Sequence, residues 1–207
     1  MPGFATNIVL LSEYEYGYSP TRIGFPSISA CRAILYQTTT GLFGFHQATG
    51  YGPTKIDRDA DKFARFVTGH RGGAGTGLNL YVGAKIGAGS TYSQGLPGLQ
   101  EMVAEIGAIA RALRFDGPAR LYDLSYNTPG AQGVYIEFDA RTDSCDVLIN
   151  NWVDHHDDTH KGAPHGNPGD HLYCHASKTD FTTPARVFLQ ADTTGQHQVE
   201  PIPIPLA

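Results

Sequence analysis

Apolar residues recur along this chain in two rhythms. Short apolar or alternating runs bounded by turn residues predict strands, and stripes spaced three and four residues apart predict helices. Thr6–Leu11 is a short apolar strand candidate, followed by a Tyr-rich, turn-prone loop over Ser12–Pro20. Ser27–Gln37 reads as a strand, Thr38–Gly41 as a turn and Leu42–Thr49 as a second strand, which together make a hairpin. Arg58–Thr68 puts Phe63, Phe66 and Val67 on one helical face. Gly98–Leu113 aligns Leu99, Met102, Val103, Ile106, Ile109, Ala110 and Leu113 in one stripe, with Pro97 at its first turn and Gly117-Pro118 beyond its end. Further strands are expected at Leu78–Ile86, Ala119–Leu124, Gly133–Asp139, Asp146–Trp152 and Arg186–Gln190.

The stretch Val153–Thr183 is polar and rich in His, Gly and Pro, and reads as a loop insertion with one short strand near Leu172. Residues 199–207 form an extended Pro-rich tail. No repeat and no linker-like break divides the chain, so a single domain over residues 1–207 is expected. The predicted class is α+β: a mostly antiparallel β-sandwich with two flanking helices.

Composition narrows the possibilities. Hydrophobic residues are 41% and charged residues 17%, a globular balance with enough length for a sizeable core. The formal charge is −5 with no basic run, which argues against a nucleic-acid partner. No run approaches the roughly 20 apolar residues that cross a bilayer, and the first residues lack the cationic start and cleavage site of a signal peptide. The expectation is therefore a chain with no membrane partner, either cytoplasmic or secreted without a cleavable signal. The three cysteines, Cys31, Cys145 and Cys174, make no close motif; Cys145 and Cys174 read as structural. The glycine-rich stretch His70–Gly77 lacks a Gly-Lys-Ser/Thr ending and follows a helix, so it does not read as a phosphate loop.

Cys31 and His46 are the candidate chemistry. A thiol becomes a nucleophile when a neighbouring base takes its proton. Strand alternation would put Ser27, Ser29, Cys31, Ala33 and Leu35 on one face, and an even-numbered turn would put His46 and Ala48 on that face too. A two-residue loop sets Cys31 opposite His46. A four-residue loop sets it opposite Ala48, with His46 as diagonal neighbour, roughly 7–8 Å away between Cβ atoms. The plain alternative is a buried, inert Cys31 in a noncatalytic binding module.

The stretch Ser29–Gly50, SACRAILYQTTTGLFGFHQATG, resembles the active-site hairpin of the chemoreceptor glutamine deamidases of the CheD family. The matching positions are Ala30, Cys31, Ala33, Tyr36, Thr40, Gly41, Gly44 and His46. The Cys-strand-turn-strand-His arrangement is also similar to that of the cytotoxic necrotizing factors and the Burkholderia lethal factor. Downstream, Ala84-Lys85-Ile86-Gly87-Ala88-Gly89 nearly matches a CheD segment, so the resemblance spans about Ser27–Gly89.

The resemblance implies a deamidase fold and a protein substrate whose glutamine carboxamide is attacked by Cys31, with His46 as base and no cofactor. It places an orienting Thr where this chain has Phe25. Ser27 or Ser29 could take that role, Ser29 being better placed to help the oxyanion. By analogy with the necrotizing factors, a backbone carbonyl from Ser12–Pro20 is the other candidate. A cysteine protease or transglutaminase would use the same pair.

Six of the nine histidines lie between His155 and His175, interspersed with Asp154, Asp157, Asp158, Asp170 and Cys174. The spacing matches no zinc pattern, and Gly and Pro oppose the helix that would align His156 with His160. A solvated rim and no metal is the expectation, with a metal-dependent hydrolase as the alternative. His175 or Asp170 could also approach Cys31 as an orienting group.

Overall fold

Seven consecutive buried residues, Arg32–Thr38, run through the middle of the structure. A strand buried on both faces needs a layer on each side, and the rest of the chain supplies the two layers. The computed structural model describes residues 8–48, 53–87, 97–125, 133–152 and 201–206.

The elements in chain order are β1 (Val9–Leu10), β2 (Tyr16–Ser19), β3 (Arg22–Ile28), β4 (Arg32–Thr38), β5 (Gly41–Gln47), α1 (Pro53–Thr68), β6 (Gly77–Ala84), α2 (Leu99–Leu113), β7 (Ala119–Asp123), β8 (Gly133–Ala140), β9 (Cys145–Trp152) and β10 (Ile202–Ile204). They form a six-stranded sheet, β10-β7-β6-β4-β5-β2, and a four-stranded sheet, β1-β3-β8-β9. All pairings are antiparallel except β1 with β3 and β6 with β7. The class is thus α+β, with two helices and two mostly antiparallel sheets.

Alternation along β4 divides the core. Ala33 and Leu35 pack towards the four-stranded sheet, against the layer that holds Phe25, Ile136 and Phe138. Ile34 and Tyr36 point the other way, into the layer with Phe63 of α1 and Ile106 of α2. The helices therefore cover one face of the six-stranded sheet, and the smaller sheet covers the other. Among the described residues no helix is long and apolar enough to cross a membrane.

Several expectations are corrected. The run Ser27–Gln37 is not one strand. β3 ends at Ile28, a bend occupies residues 29–31, and β4 begins at Arg32 in the other sheet. Pro26 accounts for part of this. A proline has no N–H to give a ladder, and the β3–β8 register slips between Phe25 and Ile28. Within the Ser12–Pro20 loop, Tyr16–Ser19 forms edge strand β2, where Tyr16 packs against the Phe45 ring at 4.4 Å. The first helix starts at Pro53 rather than Arg58, consistent with the liking of proline for a first helical turn. The tail is also not merely extended, because Ile202–Ile204 pair with β7. The 153–183 insertion and the Arg186–Gln190 candidate lie outside the described residues.

A buried ion pair ties the bend to the helical layer. Arg32 Nε donates to Glu105 Oε2 at 3.0 Å, and its Nη2 donates to Oε1 at 3.1 Å. Its Nη1 donates to the Ala30 carbonyl at 2.8 Å. Both side chains are about 4% exposed, so removing one strands the other charge away from water. Glu105→Ala should destabilise the fold by about 3–5 kcal/mol in urea unfolding, and Arg32→Met/Glu105→Leu should cost less than that single change. A Glu105→Ala protein as stable as the parent would contradict this account.

Candidate active site

The β4–β5 hairpin closes through Thr39 and Thr40, because Thr38 and Gly41 still pair. Gly41 sits at φ +146°, and a Cβ there would lie 2.8 Å from the Ser19 carbonyl oxygen, so the turn needs glycine. Arg32 pairs with Gln47 and Ala33 with His46. Continued one residue back, this register sets Cys31 level with Ala48 and leaves His46 diagonal. That is the arrangement expected of a four-residue loop, although only two residues turn.

His46 is held on every side. The Leu11–Glu15 segment wraps it. Tyr14 N–H donates to the His46 carbonyl at 2.8 Å, and His46 N–H donates to the Glu15 carbonyl at 2.9 Å. The ring nitrogen Nδ1 lies 2.7 Å from the Leu11 carbonyl. A carbonyl only accepts, so Nδ1 carries the hydrogen and Nε2 presents a lone pair. The Nε2 atom is buried and has no hydrogen-bond partner among the described residues. Burial pushes the imidazole pKa down to about 4, opposed by the Leu11 bond and by the nearby Glu13 carboxylate. His46 is thus a neutral base at neutral pH.

Phe25, which stands where the resemblance expects a threonine, packs edge-on to the His46 ring at 6.1 Å. It confines the imidazole by shape, while the Leu11 carbonyl sets its tautomer. That carbonyl comes from the residue just before the Ser12–Pro20 stretch. Gly44 makes the packing possible: a Cβ there would lie 2.6 Å from Leu11 Cδ1 and 3.0 Å from Phe25 Cζ.

Cys31 is 2% exposed, in the same inter-sheet layer as Ala33 and Ala48. Its Sγ donates to Glu13 Oε1 at 3.2 Å. Glu13 itself is exposed, at the tip of the turn. Glu13 therefore links the two candidates, bonded to the Cys31 thiol and close enough to act on His46 by charge, while His46 Nε2 makes no hydrogen bond to the thiol.

The two serines are placed differently. Ser29 is exposed in the bend, so strand alternation does not carry it onto the Cys31 face. Ser27 lies at the bulged end of β3, and its side chain is outside the described residues. Sequence reasoning missed Glu13, because an acidic residue in a turn normally signals only solvation. Among the described residues no group of three or more His, Cys, Asp or Glu could hold a metal. The His155–His175 stretch, with Asp170 and Cys174, lies outside them. Burial pushes the thiol of Cys145 up to about 12. No family model matches the chain, and no curated protein matches it.

The buried imidazole makes stability depend on pH. Between its ordinary value of 6.5 and about 4, the unfolded chain takes up a proton that the folded chain refuses. Stability therefore falls as pH drops through that window. The unfolding free energy of the parent minus that of His46→Gln should fall by about 2–3 kcal/mol between pH 7 and 4.5. A difference that stays flat across this range would show that His46 is not held neutral.

Proposed function

We propose that this chain is a protein-glutamine deamidase of the CheD and necrotizing-factor kind, converting a glutamine of a partner protein to glutamate. The single observation that carries the reading is the state of His46. It is a buried neutral imidazole whose Nδ1 is fixed by a backbone carbonyl and whose Nε2 has no hydrogen-bond partner among the described residues. It stands on β5, and Cys31 lies in the bend just before β4, level with Ala48 when the hairpin register is continued. A buried polar atom left without a partner costs roughly 1–3 kcal/mol, and such an atom calls for an explanation in use. The two-sheet, two-helix architecture and the Cys-strand-turn-strand-His order support the same reading.

The chemistry balances on these two side chains. As Sγ bonds to the carboxamide carbon, the thiol proton passes to His46 Nε2, and an oxyanion forms. Nε2 returns the proton to the amide nitrogen, the C–N bond breaks and ammonia leaves. Water then attacks the thioester, giving its proton to Nε2. The C–S bond breaks, the thiol is restored, and the partner carries a glutamate. A base with a pKa near 4 does not form a standing ion pair with a thiol. Proton transfer therefore accompanies attack instead of preceding it.

One observation favours a rival. Cys31 is buried and its thiol is already hydrogen-bonded, as in a noncatalytic binding module. Turnover decides between the two. Incubation with candidate partner proteins should release ammonia and raise a partner's intact mass by about one dalton, the difference between a carboxamide and a carboxylate. Cys31→Ser and His46→Ala should each lower kcat/KM by at least about a thousandfold with the fold intact. Full activity in a folded Cys31→Ser protein would end the proposal.

A further inference from the structure

The nucleophile candidate has an acidic neighbour that the reaction above does not use. Three backbone bonds fix where that neighbour stands. Within the turn, Glu15 N–H donates to the Ser12 carbonyl at 3.0 Å; the Tyr14 and His46 bonds then fasten the turn to β5. Tyr14 takes a left-handed φ of +66°, a conformation that costs a non-glycine residue about 1 kcal/mol or more. The strained turn holds the exposed Glu13 beside the Cys31 thiol, and the carboxylate is near enough to His46 to favour its charged form.

We propose that Glu13 is a specificity-determining residue: its carboxylate selects an uncharged primary carboxamide for attack by Cys31 and rejects the carboxylate that hydrolysis leaves. The inference rests on the deamidase reading and deepens it.

A carbonyl carbon poised for attack sits roughly 3–3.5 Å from sulfur, and its amide nitrogen only about 1.3 Å further on. An acceptor 3.2 Å from the same sulfur lies within reach of that N–H₂ group. A carboxylate has two oxygens and about four lone-pair directions, so it has room for an amide donor both while it holds the resting thiol hydrogen and after that hydrogen turns to His46. A primary carboxamide offers two N–H donors there. A substrate or product carboxylate offers none and brings a like charge to within a few ångströms. Glu13 also stands next to the site where the imidazolium forms, so its charge favours the proton transfer that starts the reaction.

The test needs no known substrate. Iodoacetamide and iodoacetate alkylate thiols alike and differ by a carboxamide against a carboxylate. Rates at Cys31 in the full chain, read by peptide mass spectrometry, give an iodoacetamide-to-iodoacetate ratio. Charge repulsion by Glu13 should raise this ratio at least about tenfold over that of Cys31 in the urea-unfolded chain. Salt near 1 M should shrink it by screening. Glu13→Gln, an isosteric change at an exposed turn tip, should bring the ratio to within about threefold of the unfolded value. Equal ratios in parent and Glu13→Gln would overturn the inference, even in a working deamidase. A ratio that collapses in Glu13→Gln, in a chain that deamidates no partner, would retain the charge filter and defeat the deamidase reading. A Cys31 that neither reagent reaches in the folded chain would defeat both.

Discussion

An arginine inside a protein must find its anion there, and Arg32 meets this requirement with Glu105 of α2. The rest of the site depends on that pairing. The guanidinium also takes the Ala30 carbonyl, so the helix, the first residue of β4 and the bend before it are locked to one planar group. Where the bend is fixed, the chain crosses from the four-stranded sheet to the six-stranded one. Arg32 heads for the helices, and the residue before it is left on the inter-sheet side. A buried pair of this kind adds little net stability over an apolar substitute. What it gives here is a definite path for three residues that no ladder holds.

The opposite wall of the site is built from main chain. The segment that precedes β2 contributes three hydrogen bonds to His46, two through the backbone and one to its ring. Tautomer, ring plane and burial are therefore consequences of how one edge strand begins, and side-chain identity matters little for them. The aromatic Phe25 completes this by filling the space around the ring, and Gly44 by giving up its own side chain to let Leu11 and Phe25 approach. Such a design needs no hydroxyl partner for the imidazole, because position comes from packing and a carbonyl that every residue possesses.

This explains what could be read in the sequence and what could not. The β4–β5 hairpin, α2 and strands β6–β9 were legible because each carries a strong period and clear turn residues at its ends. The register that sets Cys31 level with Ala48 was legible only on condition of an even-numbered turn, since a one-residue change in the loop would flip His46 to the other face. The bend that holds Cys31 was not foreseen. The split of Ser27–Gln37 was hidden, since an apolar run looks continuous even where Pro26 and a bulge hand it to a second sheet. Strand β2 was hidden by its Ser, Gly and Pro content. Its place is set by Phe45, which pairs with Tyr16 across the ladder from far along the sequence. Leu11 and Glu13 were hidden most completely. A carbonyl leaves no mark in a sequence, and an acid in a turn leaves a misleading one.

The short strand Ile202–Ile204 has a consequence for the chain as it is made. It is the only cover, among the described residues, for the outer edge of β7, whose other edge is taken by β6. On a ribosome, β7 emerges long before it. At about 5–20 residues per second that edge stays open for several seconds, offering its row of amides and carbonyls to any neighbouring nascent chain. Once β10 docks, the hazard ends rather than moving outward by one strand. Prolines stand at positions 201, 203 and 205, and a proline has no N–H with which to recruit a further strand. A segment that looks like a loose tail thus works as a seal against self-association.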